Sequence, residues 1–396
     1  MANNRVMIIV QFAVLVGLVV AASYVSAKIW GAAGEEEKPP APEIRITEQM
    51  TVGQIARRHG LEGPALKKAF ALQSKADLQK TVAQLGLSEE QARTRLQKAL
   101  AMHAEESSKN WQKILAKFLL WFAFLVAVYV LMKRKAVTPK TRKGLLLGAV
   151  LLFGVALGAD PSPMGTVKDA VVLWGTDRII FPPRMIALAL FLATVVLANK
   201  FICSWGCQIG TLQELIFRLN RNTKDTRGVL PQYKLPFAFT NTVRVLFFAA
   251  LTAAAFAWAV DIVHPIDPFV LYKPAMLGVA GIGFIAVVLV SSLFIYRPWC
   301  TLLCPFGLVG WLFEKISVNK IKVDYDTCIG CKACAKACPS VIMEAILLRH
   351  RTIPDCFSCG TCMEACPTDS ISFAAGPRQK PPAGKFDKKP AAEPGT

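Results

Sequence analysis

At 396 residues, 54% of them hydrophobic, the chain has room for two or three domains and is too apolar for an ordinary soluble protein. Its net charge of +19 would suit a nucleic-acid-binding domain, but many of the lysines and arginines sit in short clusters beside long apolar runs. The charge is therefore read as membrane topology, with no nucleic acid as partner. All twelve cysteines fall in four tight groups after residue 200, which excludes the scattered framework of a secreted disulfide protein.

Six apolar runs of membrane-spanning length are expected, at 6–27, 114–132, 144–158, 185–202, 243–263 and 276–296. The first is read as an uncleaved anchor rather than a secretory signal, because its apolar stretch is longer than a usual signal core. Between the second and third runs stands a basic hairpin with Lys133, Arg134, Lys135, Lys140, Arg142 and Lys143. Arg218, Arg221, Lys224, Arg227, Lys234 and Arg244 line the connection between the fourth and fifth. The alternate loops, 160–183 and 264–274, are poorer in positive charge, so both termini are expected in the cytoplasm.

Residues 28–113 then fall outside. They open with a charged, proline-rich linker at 35–42 and continue as short amphipathic helices at 51–72 and 75–106, with an N-cap signal at Ser88-Glu89-Glu90-Gln91. Their two halves resemble each other weakly, and His59 and His103 read as surface residues. The tail from 375 to 396 has almost nothing to bury and is expected to be disordered.

The domain plan that follows is an N-terminal anchor (1–30), a linker and small extracytoplasmic helical domain (31–113), a second transmembrane helix (114–135), a duplicated four-helix membrane core (140–319), a two-cluster ferredoxin domain (320–374) and the tail (375–396). The fold class is mainly α: a six-helix transmembrane bundle with a C-terminal ferredoxin-like domain and a small extracytoplasmic helical domain.

The strongest chemical signal is Cys328, Cys331, Cys334 and Cys338 followed by Pro339, repeated as Cys356, Cys359, Cys362 and Cys366 followed by Pro367. Each is the run of a bacterial two-cluster ferredoxin, in which the fourth cysteine ligates the other cluster. Cys328, Cys331, Cys334 and Cys366 are therefore expected to hold one 4Fe–4S cluster, and Cys338, Cys356, Cys359 and Cys362 the other. A structural zinc site is the competing reading, and eight thiolates without histidine do not suit it. Lys332 and Lys336 near the first cluster and Asp355, Glu364 and Asp369 near the second would place the second at lower potential.

A second signal is the pair Cys203 and Cys207 with Gly210, which aligns with Cys300, Cys304 and Gly307 at one constant offset. Asp160-Pro161 and Asp267-Pro268 recur likewise. This is read as internal duplication of a two-helix unit. On a helix each CxxxC presents two thiols in one direction, giving a four-thiolate site at the cytoplasmic membrane surface. A third 4Fe–4S cluster, zinc or copper, redox-active thiols and buried structural cysteines all remain open there.

Together the double CxxxC-plus-glycine pattern and the ferredoxin runs resemble the NapH-type membrane polyferredoxins over about residues 140–373. Gln208 stands where that family usually has proline, and residues 1–135 are not part of its core. The resemblance implies an electron-transfer subunit of a quinol dehydrogenase or related complex in the bacterial inner membrane, exchanging electrons between the quinone pool and partner redox proteins. Quinone chemistry needs a polar group in an apolar pocket, and His264, Asp160, Asp261 and Asp267 lie near the external span ends, with His264 the first candidate. An assembly factor that reduces a metal such as copper, or a cofactor, for another enzyme is the alternative, and a membrane redox sensor ranks below both.

Overall fold

A computed structural model describes residues 2–30, 49–58, 70, 75–107 and 110–386. The linker at 35–42, His59, the 61–69 half of the weak repeat and residues 387–396 lie outside the described residues. Helix α1 (Ala2–Ile29) is apolar along its length. It is followed by a small unit made of α2 (Val52–Arg58), two single 3-10 turns and α3 (Glu89–Ser107). Val52, Ile55, Phe70, Val82, Ala92, Leu96 and Ala99 form that unit's own core, separate from the main one. Three reciprocal capping pairs begin its turns: Thr51 with Gln54, Thr81 with Gln84, and Ser88 with Gln91.

Next come α4 (Trp111–Lys133) and α5 (Pro139–Ala149), the latter capped by Thr138 and Thr141 and continued as a π-helix over Val150–Ala156. The loop expected at 160–183 contains a helix, α6 (Pro163–Asp177), started by Ser162, whose hydroxyl accepts from the Gly165 N–H. Mixed Thr, Lys, Gly and Asp hide α6 in the sequence, yet it packs against three apolar helices. These are α7 (Pro182–Ala198), α10 and α13, the last two described next.

After α7 the chain makes a sharp hairpin. Helix α8 (Phe201–Trp205) breaks at Gly206, and α9 (Gln208–Leu219) leads away from it. Helix α10 (Phe237–Trp258) and three 3-10 turns precede α11 (Val279–Ser291), and the hairpin then recurs as α12 (Pro298–Leu302) and α13 (Pro305–Glu314). The CxxxC pairs are therefore not on continuous helices, which corrects the one-face expectation. Cys207 and Cys304 are extended residues (φ −69°, ψ 125° and φ −62°, ψ 119°) between two helices. At Cys304 the reason is local, since the following Pro305 disfavours helical geometry in the residue before it.

Of the six expected spans, the described residues contain three helices long and apolar enough to cross a membrane, Asn4–Ile29, Trp111–Lys133 and Phe237–Trp258. Only 17%, 22% and 22% of their most apolar stretches are buried, so these helices present hydrocarbon outward, as lipid-facing surfaces do. Helices α7 and α11 are apolar but shorter.

The C-terminal domain pairs β1 (Asn319–Val323) antiparallel with β2 (Ile371–Ala375), Ile321 opposite Phe373. Between them lie α14 (Ala333–Ala337), α15 (Ile342–Leu347) and α16 (Thr361–Glu364). One hydrophobic core runs from the apolar helices into this domain without interruption. Residues 376–386 depart from the expected disorder: Arg378 donates to the Ile321 carbonyl (3.0 Å), and Phe386 is buried edge-on to Tyr325. Phe386 and Pro381 are the buried residues that anchor this otherwise largely exposed stretch.

Candidate iron–sulfur sites and the polar joint between them

The eight ferredoxin-type cysteines surround two cavities. Cys328, Cys331, Cys334 and Cys366 line one of about 320 Å³, together with Val323, Ile371 and Phe386. Cys338, Cys356, Cys359 and Cys362 line the other, of about 360 Å³, with Tyr296, Met343 and Phe357. Each motif thus lends its fourth cysteine to the other's cavity. The local cause is stereochemical: Lys332 (φ 59°) and Gly360 (φ 80°) turn the chain into α14 and α16, and Pro339 follows where α14 ends.

No disulfide joins any of the twelve cysteines. Burial pushes the Cys334 thiol up to about 12, and Cys366 beside it adds to the effect. Burial likewise holds Cys362 well above the ordinary thiol range, reinforced by Cys338, Cys359 and Cys356. Crowded apolar thiols of this kind ionise only with a cationic centre among them, so the donor set fits iron–sulfur ligation. Hydroxyls stand two residues beyond three of the cysteines, with Cys359 Sγ 3.4 Å from Thr361, Cys338 3.6 Å from Ser340 and Cys366 3.7 Å from Thr368.

Cys203, Cys207, Cys300 and Cys304 are 6–8% exposed, so the protein itself covers them. Their thiols interact electrostatically with one another across the two hairpins. Among the described residues no three His, Cys, Asp or Glu side chains close on a single-ion site. The aligned glycines now have a cause. A Cβ on Gly210 would collide with the Cys203 carbonyl oxygen, and one on Gly307 with that of Cys300.

The residue before each hairpin braces the other one. Lys200, ahead of the first pair, donates to the Gly307 carbonyl (2.6 Å), and Arg297, ahead of the second, donates to the Cys203 carbonyl (2.6 Å). Both are fully buried, and both lie over the Phe357 ring, at 5.5 and 4.7 Å. Phe357 follows Cys356 and lines the second ferredoxin cavity, so this cation–aromatic layer ties the two hairpins to a wall of that cavity. Glu214 pairs with Arg297 and Arg218 and accepts from Tyr296 (2.8 Å). Burial opposes its ionisation, but Arg297 and Arg218 prevail and hold the carboxyl down at about 2.

The same side of the ferredoxin domain is tied down elsewhere. Asp355 pairs with Lys200 and Arg244, Glu364 with Arg142, and Asp369 with Lys135. Arg142 also donates to the Cys359 carbonyl (2.9 Å) and Arg221 to that of Ala337 (2.8 Å). These contacts set charges around the domain that sequence neighbours alone do not show. Asp355 and Glu364, close in the chain to cysteines of the second cavity, are paired with cations from the helical part, and Arg218 and Arg221, held by Glu214 and Asp225, act on Cys359 and Cys338.

At the far end of the helices the candidate quinone residues separate. Asp160 pairs with Lys273 (2.7 Å), while Lys168 bridges Asp261 (3.2 Å) and Asp267 (3.7 Å). Burial pushes the Asp267 carboxyl up. Asp160 lines a cavity of about 520 Å³ with Trp111, Phe118, Phe181, Asp169 and Arg184; His264, which is exposed, and Asp267 are not among its lining residues.

Gln208, noted in the sequence only as a departure from a family pattern, and Lys117, which it did not single out, join this end to the cysteines. Gln208, next to Cys207, donates to the Ala159 (2.9 Å) and Pro161 (3.2 Å) carbonyls. Buried Lys117 donates to those of Gly158 (2.6 Å) and Asp160 (3.1 Å). Gln208 was visible as the residue replacing a proline; Lys117 was visible as a lysine inside an apolar run.

A 4Fe-4S dicluster domain matches residues 320–367, and a 4Fe-4S binding domain matches twice, at 180–224 and 277–324, once over each CxxxC hairpin. Among known proteins the chain is similar to the putative electron transport protein YccM of Escherichia coli, 34% identical over 51% of this chain and 57% of that one. It is also similar to the methylamine utilization ferredoxin-type protein MauN of Paracoccus denitrificans (27% identical, 49% of this chain and 66% of that one) and of Methylorubrum extorquens (26%, 51% and 66%). The chain thus spans under two thirds of YccM. No solved structure matches it. The chain carries 4Fe-4S ferredoxin-type domains, with iron–sulfur clusters as their cofactors, and is homologous to YccM and the MauN ferredoxin-type proteins.

Proposed function

We propose that this is a membrane electron-transfer protein of the NapH type, linking the quinone pool to a partner redox protein. The observation that carries the reading is the buried layer of Lys200, Arg297 and Phe357, which locks the four CxxxC cysteines against the second ferredoxin cavity. When bound, 4Fe–4S clusters supply reversible one-electron transfer. Two are assigned to the ferredoxin cavities with the crossed ligand sets, and a third to Cys203, Cys207, Cys300 and Cys304. The fixed joint holds these sites in one arrangement, so no domain swing is needed between them.

In this reading all six apolar runs cross the bacterial inner membrane, with both termini cytoplasmic and the small helical unit outside. The quinone site is placed in the aromatic cavity lined by Asp160 and Asp169, in place of His264. Trp111, Phe118 and Phe181 would flank a ring, and the carboxylates would exchange its protons. Gln208 and Lys117 hold the carbonyls at 158–161 that link this wall to Cys207.

Iron and acid-labile sulfide counts with EPR on the purified chain test the cluster assignment. Content equal to three clusters is expected, and two would remove the CxxxC site. Cys366→Ser should abolish the signal of the first ferredoxin site and Cys338→Ser that of the second; the reverse pattern would refute the crossed sets. With clusters intact, Asp169→Asn should slow cluster reduction by a menaquinol analogue roughly tenfold or more, in the range expected for a lost proton-transfer group. His264→Ala should leave that rate unchanged, and an equal effect of the two would sink this placement of the site.

A further inference from the structure

On the basic side of the apolar helices an open crevice of about 890 Å³ lies between the start of α1, the 226–234 loop and the turn at 336–339. Its walls carry Arg5, Arg221, Arg227, Lys234 and Lys336, and among the described residues no Asp or Glu lines it. Arg221 is the fixed member: it is 6% exposed, paired with Asp225 (2.9 Å) and stacked over Phe217 at 5.5 Å. Arg5, Arg227, Lys234 and Lys336 are exposed around it. Like charges gathered in one concavity repel one another, and an anion among them relieves that repulsion. Guanidinium groups favour phosphate oxygens, which they can meet with paired N–H donors.

We propose that this crevice is a binding site for a phosphate group. Its position gives two sources for that chemistry. Arg5 opens a helix apolar enough to cross a membrane, and Val229 (40% exposed) and Tyr233 (60%) give the crevice an apolar rim. An anionic phospholipid would place its headgroup among the cations and its chains along that rim. A soluble phosphate would use the cations alone.

Native mass spectrometry of the full chain with added phosphatidylglycerol or phosphatidylcholine separates the first source, and calorimetric titration with inorganic pyrophosphate the second. Selective retention of phosphatidylglycerol, or binding of pyrophosphate, is expected. Either should weaken by roughly tenfold or more in Arg5→Gln/Arg227→Gln. Arg134→Gln/Lys140→Gln removes the same charge from the other basic loop and should change binding less than about twofold. Arg227→Gln alone, on a loop without cysteines, repeats the test if the double variant folds poorly. Binding of neither probe, or equal losses in the two double variants, would overturn the proposal.

Discussion

Arg297→Met is expected to destabilise the chain by about 3–5 kcal/mol, the range for removing one partner of a buried ion pair. Arg297 is fully buried, donates to Glu214 through Nε (2.9 Å) and supports the Cys203 carbonyl. Without it Glu214 keeps Arg218 and Tyr296 but loses its strongest counter-charge. Unfolding of the detergent-solubilised variant measures the cost, and a loss below about 1 kcal/mol would contradict the brace. Arg297→Met/Glu214→Gln should recover part of it, because no uncompensated charge then stays buried.

The acid side of the stability profile should move as well. A carboxyl depressed from 4.5 to about 2 adds stability that is complete above the ordinary range and lost as pH falls through the lower value. In Arg297→Met that loss should begin at higher pH than in the parent chain. An unchanged acid limb would mean that Glu214 does not depend on Arg297.

Gly307→Ala is expected to cost about 1–3 kcal/mol, as for an overpacked interior, and to perturb the CxxxC site. The added methyl would meet the Cys300 carbonyl, which is backbone and cannot rotate away. Gly310→Ala, one turn along α13, is the control. Its Cβ would find Lys200 Cε at 3.5 Å, an ordinary contact, so the better helix propensity of alanine should show instead. Similar losses at both positions would point to a general intolerance of α13 and not to the close approach of the two hairpins.

The two cysteine sets that line the ferredoxin cavities were legible because their spacing is local. Three cysteines and a proline fix a turn whatever surrounds it, and the two motifs state their own crossing. The glycine after each CxxxC was legible only as a pattern, since its cause is a carbonyl seven residues upstream folded back by a hairpin. Lys200, Arg244 and Arg297 could not be told from the ordinary interface cations that flank apolar runs. Only tertiary structure shows them buried on Asp355 and Glu214. For the same reason the pairing of Asp355, Glu364 and Asp369 could not be inferred from their sequence neighbours. Their partners lie more than a hundred residues away along the chain.

The exchange of supports between the hairpins also bears on how the duplicated core came to be permanent. Lys200 steadies the later copy and Arg297 the earlier one. Neither copy carries its own prop, so a chain with a single copy would present an unsupported cysteine pair and a stranded cation. Once the two had traded these contacts, losing either copy would disable both, and the pair could thereafter be inherited only as a whole.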